Sequence, residues 1–214
     1  MKLLLTAFDP FGGADVNPAE QAVALVPDKV SGIDVVKCTV PTVFYQSIDT
    51  VAAAIEAERP HAVLCIGQAG GAADLAVERV GINIDDARIP DNEGNQPIDR
   101  RIFPDGENAY FSTLPIKAMA ESIRKAGLPA HISNSAGTFV CNHLLYGLLY
   151  TLAKRYPHIK GGFIHVPYLP MQAAALPQGA PSMRAEDIAK GIAAAIAAIG
   201  ETKADTATAE GALY

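Results

Sequence analysis

Short runs with the pattern of buried strands alternate with longer runs of helical periodicity along this chain, and that alternation constrains its fold more than any other feature. Lys2–Phe8 is an apolar strand pattern that ends in the turn-rich stretch Asp9–Val16. Asn17-Pro18-Ala19-Glu20 then opens a helix, with Asn17 at the N-cap, Pro18 in the first helical position and Glu20 placed for the reciprocal capping bond. Ile33–Val40 alternates as a strand, and Val43–Glu58 carries apolar residues at helical spacing until Pro60 stops it. His61–Ile66 is a continuous apolar strand that runs into Gly67-Gln68-Ala69-Gly70-Gly71. Leu75–Ile84 alternates as one further strand, Asp85–Pro97 is polar and rich in turn formers, and Ile98–Phe103 is a candidate edge strand. Pro115–Ala126, Cys141–Tyr156 and Arg184–Ile199 read as helices, Ala130–Ser133 and Gly162–Val166 as strands. Glu201–Tyr214 is polar and Ala/Thr-rich, and is expected to be a mobile tail.

Strands separated by helices imply a mostly parallel sheet covered on both faces. With no linker or internal repeat, one α/β domain over residues 1–200 is expected, followed by the tail 201–214. A hydrophobic fraction of 50% in 214 residues supplies a full core. No apolar run approaches the roughly 18 residues of a membrane span, and Asp9, Pro10 and Gly12-Gly13 cut short the apolar start too early for a secretory signal. Net charge is −6 and the basic residues are scattered, so neither nucleic acid nor an anionic membrane is an expected partner. The three cysteines show no CxxC pair and no metal-ligand spacing, so no cysteine-based metal site is expected. Free thiols in a reducing, cytoplasmic compartment are the reading that follows.

In such sheets, sites form beyond the carboxyl ends of the strands. His61 and His131 begin strands and His158 enters one, which places all three at the other edge; His165 ends a strand at the functional edge. His143 lies inside a helix only two residues from Cys141, and residues so spaced do not face each other. Cys38 and Cys65 fall in apolar strand patterns and read as core. Cys141 follows a strand and loop and begins a helix, where the positive end of the helix dipole favours a thiolate. A helix of about 16 residues runs some 24 Å from that edge, and the next strand returns to end at His165. A right-handed crossover would therefore bring Cys141 and His165 together. A Cys–His pair needs a third group to orient the imidazole. Asp85, Asp86, Asp91 and Glu93 crowd a polar loop and read as solvated or turn-forming. Glu78 stands in an otherwise apolar segment and needs a partner, either in the site or in an ordinary ion pair. Two rivals have their own motifs. Ser133-Asn134-Ser135-Ala136-Gly137 nearly spells a serine-hydrolase elbow but lacks its first glycine. Gly67-Gln68-Ala69-Gly70-Gly71 could cradle phosphate but lacks the spacing of a nucleotide loop.

A set of blocks resembles the signatures of the pyroglutamyl peptidase I (pyrrolidone-carboxylate peptidase) family. They are Thr6-Ala7-Phe8-Asp9-Pro10-Phe11-Gly12-Gly13, Gly67–Gly71, Glu78-Arg79-Val80, Asp86–Gly94, Ser135–Asn142 and Phe163-Ile164-His165-Val166-Pro167, in the family's order. The resemblance implies a three-layer α/β/α sandwich and a cofactor-free cysteine peptidase, usually a homotetramer, that acts on peptides with an N-terminal pyroglutamate. It places the nucleophile on Cys141, the general base on His165 and the acidic member on Glu78. It matches Phe8 and Phe11 to aromatic residues lining the pyroglutamyl pocket, and Gln68 and Arg88 to polar residues near it, with Arg88 a candidate to support the oxyanion. Ala7 and Ala72 depart from the glycine and arginine common at those places.

Overall fold

A computed structural model of the chain describes residues 1–202 and 204–211. The first half runs β1 (Lys2–Phe8), α1 (Pro18–Leu25), β2 (Lys29–Val30), β3 (Ile33–Val40), α2 (Gln46–Glu58), β4 (Ala62–Gln68), β5 (Leu75–Glu78) and β6 (Val80–Ile82). The second half runs β7 (Ala109–Phe111), α3 (Ile116–Lys125), β8 (Ala130–Ser133), α4 (Val140–Arg155), β9 (Lys160–Val166), α5 (Pro170–Ala174) and α6 (Ala185–Glu201). Seven strands form one sheet in the order β2-β3-β1-β4-β9-β5-β8, and β6 pairs with β7 in a separate ribbon.

Side-chain alternation along each strand sorts two cores. On one face Leu3, Leu5, Leu64, Ile66, Ile164 and Val166 pack against α1, α3 and α6. On the other face Leu4, Val63, Cys65 and Phe163 pack against α2 and α4. Strands buried on both sides need the near-continuous apolar runs seen in β1 and β4. The result is the three-layer α/β/α sandwich with a mostly parallel, mixed sheet.

Three local expectations change and one holds. The single strand over Leu75–Ile84 is two strands, because the chain leaves the main sheet at Arg79. Ile98–Phe103 holds no strand and contributes one isolated bridge, Asp85 to Arg100. Helix α2 starts at Gln46, not Val43, because Tyr45 has φ 62°, outside the right-handed helical region; the N–H groups of Phe44 and Tyr45 donate to Asp91 Oδ2 (2.9 Å) and His143 Nε2 (2.8 Å). Asn17 caps α1 as expected, accepting from Ala19 N at 3.0 Å, while its own amide donates to the Asp9 carbonyl.

Residues 204–211 of the terminal segment lie along α3. Asp205 accepts from the N–H groups of Lys117 (3.1 Å) and Ala118 (3.0 Å), capping a helix whose own N-cap, Pro115, offers no side chain for the purpose. Glu210 pairs with Arg124. The expectation of mobility at Lys203 and at Ala212, Leu213 and Tyr214 lies outside the described residues. Among the described residues no helix is long and apolar enough to cross a membrane.

One fully buried side chain joins α4 to the ribbon. Asn142 accepts from Ile82 N (2.9 Å) and donates to the carbonyls of Ile82 (2.9 Å) and Ile84 (3.0 Å). Asn142→Ala strands these backbone groups away from water, and a loss of about 2–4 kcal/mol is expected in urea unfolding.

Candidate active site

The site is built on a row across the sheet. Gly67 of β4 pairs with His165 of β9, and His165 pairs with Ala76 of β5. Paired residues point to the same face, so His165 projects toward α4 at the carboxyl end of β9. Glu78 lies two residues beyond Ala76 and shares that face. Glu78 Oε1 reaches His165 Nδ1 at 2.7 Å. Both side chains are buried, Glu78 to 1% exposure, and Glu78 Oε2 has no partner among the described residues. A carboxylate so desolvated has the imidazole as its main compensation.

Cys141 arrives by a route other than the expected crossover. β5 pairs antiparallel with β9 and parallel with β8, so β8 runs against β9. The meeting follows instead from α4 and β9, an antiparallel helix–strand unit joined by the short segment 156–159. Sixteen helical residues rise about 24 Å, and seven strand residues about 23 Å, so the start of one lies level with the end of the other. The same reversal corrects the edge assigned to His131. It pairs with Ala76, beside His165, at the functional edge. Its ring is engaged by Asp74 at 2.7 Å.

The loop that carries Cys141 is pinned on several sides. Thr138 Oγ1 donates to the Asp86 carbonyl (2.8 Å), Asp86 N donates to the Thr138 carbonyl (2.9 Å), and Arg79 Nε donates to Asn134 Oδ1 (2.7 Å). Cys141 is the second residue of α4 and is half-buried. The N–H groups of this first turn have no carbonyl within the helix.

Cys141 and His165 line the same cavity, and charge links them. Burial alone would lower the His165 pKa, but the Cys141 thiolate and the Glu78 carboxylate outweigh it and raise it to about 10. With Nδ1 held by Glu78, Nε2 is left for the sulfur. An imidazolium pKa raised above the ordinary value of about 6.5 stabilises the folded state fully below that pH. The stabilisation is lost as pH rises through about 10. The other thiols differ. Burial pushes Cys65 up to about 12 and raises Cys38 as well.

A cavity of about 350 Å³ opens at this point, lined by Cys141, His165, Glu78, Gln68, Phe11 and Phe139 among others. Phe11 and Phe139 oppose each other with ring centroids 6.2 Å apart. Phe139, the N-cap residue of α4, carries no periodicity signal of its own; its place two residues before the cysteine in the first turn of that helix is the clue available in sequence. Phe8 is buried against Phe163 (6.4 Å) and backs the cavity without lining it. Arg88 is exposed and is not among the lining residues. Gln68 has a defined polarity. Leu169 N can only donate, so Gln172 presents Oε1 to it (2.9 Å) and Nε2 to Gln68 Oε1 (3.1 Å). Gln68 Nε2 has no acceptor among the described residues and is left to donate, and Gln172 is a contributor that sequence patterns did not single out.

Two polar residues assigned to other settings are also buried. His143 and Asp85 pair at 2.8 Å with side-chain exposures of 0% and 1%. Asp85 is therefore neither solvated nor part of a turn, and its Oδ2 accepts from the ring. Because His143 Nε2 accepts the Tyr45 N–H, its Nδ1 must carry the proton. Asp91 does close a turn, accepting from the N–H groups of Glu93 and Asn95. Ser135 Oγ accepts the Gly137 N–H at 3.2 Å, a bond internal to the loop. Among the described residues no group of three His, Cys, Asp or Glu side chains could hold a metal ion.

Thiol, imidazole and carboxylate in series on an α/β/α scaffold are the arrangement of a cysteine-type hydrolase. The family model described as pyroglutamyl peptidase matches residues 1–202, and the chain belongs to that family. It is 54% identical over 211 residues to a pyrrolidone-carboxylate peptidase of Clostridium botulinum (strain Alaska E43 / Type E3), covering 99% of each chain. It is 55% identical over 211 residues to that of Staphylococcus carnosus (strain TM300), again covering 99% of each. The crystal structure of pyroglutamyl peptidase I from Bacillus amyloliquefaciens superposes with a TM-score of 0.93 at 45% identity, covering 97% of this chain and 99% of that one.

Proposed function

We propose that this chain hydrolyses the amide bond after an N-terminal pyroglutamyl residue, through a thioester on Cys141. The observation that carries the assignment is the Glu78–His165 hydrogen bond inside a cavity that Cys141 also lines. The Cys141 thiolate attacks the pyroglutamyl carbonyl carbon. Backbone N–H groups of the first turn of α4 receive the oxyanion that forms. Arg88 does not line the cavity, and these donors suffice in our reading without its help. His165 then gives its proton to the leaving amine. It later takes one from the water that cleaves the thioester, releasing pyroglutamate and restoring the thiolate–imidazolium pair. Glu78 holds the tautomer and supports the cation throughout.

Pyroglutamate is a neutral lactam, so its site needs apolar walls and a few hydrogen bonds, not a carboxylate for an ammonium group. Phe11 and Phe139 supply the walls, with Phe8 behind them, and Gln68 Nε2 donates to the lactam carbonyl. Phe11→Ala removes one wall and is expected to raise KM about tenfold or more while changing kcat little, since burying such a ring is worth roughly 1.5–3 kcal/mol. Steady-state kinetics on a pyroglutamyl amide checks this.

The function itself is tested with a matched pair of substrates, a pyroglutamyl amide and its free-amine glutaminyl counterpart, with and without iodoacetamide. Cleavage of the first alone, abolished by iodoacetamide, is expected; comparable cleavage of both overturns the reading. Residues 1–200 are read as one folding unit, and the family likeness supports a cytoplasmic homotetramer. Exposed apolar side chains such as Phe111 and Ile98 favour assembly. Light scattering after gel filtration gives the subunit count, and a monomer excludes the tetramer.

A further inference from the structure

Gly67 sits inside β4, in a strand whose other residues are apolar or carboxamide-bearing. It lies in no turn and has no positive φ, so conformational freedom does not account for a glycine there. Glycine in a strand interior costs stability and marks a place where something approaches the backbone closely.

Two groups approach here, the Phe163 ring and the sulfur of the nucleophile. A Cβ built on Gly67 would lie 3.0 Å from Cys141 Sγ and 2.6 Å from Phe163 Cζ, where ordinary contacts are roughly 3.5–4.0 Å. Gly67 is also the register partner of His165. Neighbouring strands are about 4.8 Å apart, and side chains at paired positions point the same way. A sulfur seated where residue 67 would otherwise project its side chain therefore lies beside the His165 imidazole. We propose that Gly67 is a positioning residue for the reaction: its missing side chain leaves a berth in the sheet surface that sets the Cys141 sulfur against His165. The inference rests on the assignment of Cys141 as nucleophile.

Two neighbours compete to explain this glycine, the sulfur and the Phe163 ring, and a double variant separates them. Gly67→Ala is expected to lower kcat by about 100-fold or more, as a displacement of the order of an ångström does, with KM changed by less than about threefold. Phe163→Leu removes the ring atoms that a Cβ would strike and leaves the sulfur contact in place. Comparing Gly67→Ala/Phe163→Leu with Phe163→Leu alone, a loss of tenfold or more in kcat supports the sulfur berth. A loss below tenfold shows that Gly67 only makes room for Phe163, and overturns the proposal. The double variant also serves if Gly67→Ala alone does not fold. A second reading comes from the His165 imidazole NMR signal. Displacing the sulfur removes the chief favourable partner of the cation, so its titration midpoint is expected to fall by at least one pH unit. An unchanged midpoint contradicts the berth. Should Cys141→Ala prove active, the nucleophile assignment fails; should Cys141→Ala be inactive and Gly67→Ala fully active, only this inference fails.

Discussion

Cys141→Ala is expected to lower kcat/KM on a pyroglutamyl amide by about 10⁴-fold or more, with no more than background hydrolysis remaining. The size of the effect follows from covalent catalysis. Without the sulfur there is no acyl-enzyme, and water would have to attack the amide directly across a site shaped for another geometry. Removing the side chain also removes one of the two groups that favour the His165 cation, the proton donor to the leaving amine. Cys38→Ala and Cys65→Ala are the matching controls. Both sulfurs belong to the sheet face under α2 and α4, and burial raises both thiols, Cys65 to about 12. Each is expected to retain activity within a fewfold, whatever it costs in packing. An active Cys141→Ala protein would remove the basis of the mechanism.

Glu78→Gln is expected to lower kcat by about 10³-fold or more and to move the alkaline limb of the pH profile. In the parent, His165 must be protonated to release the amine, so activity falls as pH rises through about 10. The carboxylate favours the cation; a neutral carboxamide does not. The variant's imidazolium therefore loses its proton more easily, and its alkaline limb is expected at least one unit lower. A structural role would give another pattern. Glu78 Oε2 has no partner among the described residues and the substitution is isosteric, so circular dichroism and the unfolding midpoint should change little. Unfolding of Glu78→Gln would mean that the ion pair serves the fold before the chemistry.

Much of this architecture is legible in sequence because it is locally encoded. β1, β3, β4 and β9 carry apolar runs or alternations that leave few other outcomes, and Asn17-Pro18 announces α1. Strand direction is not local information. Leu75–Glu78 looks the same whether it runs with β9 or against it, and only the assembled sheet reveals the reversal that moves His131 to the functional edge. Burial of polar groups is likewise a long-range outcome. Asp85 reads as a loop residue until His143, 58 positions away, supplies its partner. The short strand β7 and the single-turn helix α5 are too brief to show a period at all. For the site, a cysteine opening a helix and a histidine closing a strand were visible by position. Glu78 was visible only as a charge in an apolar segment, and needed either the resemblance or the fold to give it a partner.

The central claim is that the acyl group passes through the sulfur of Cys141. Acid quenching during turnover of a pyroglutamyl amide, followed by peptide mapping in a mass spectrometer, tests it directly. A pyroglutamyl adduct on the peptide containing Cys141, labile to hydroxylamine as a thioester is, is the predicted result. An adduct on Ser135, or turnover that continues with Cys141 fully alkylated, would contradict it.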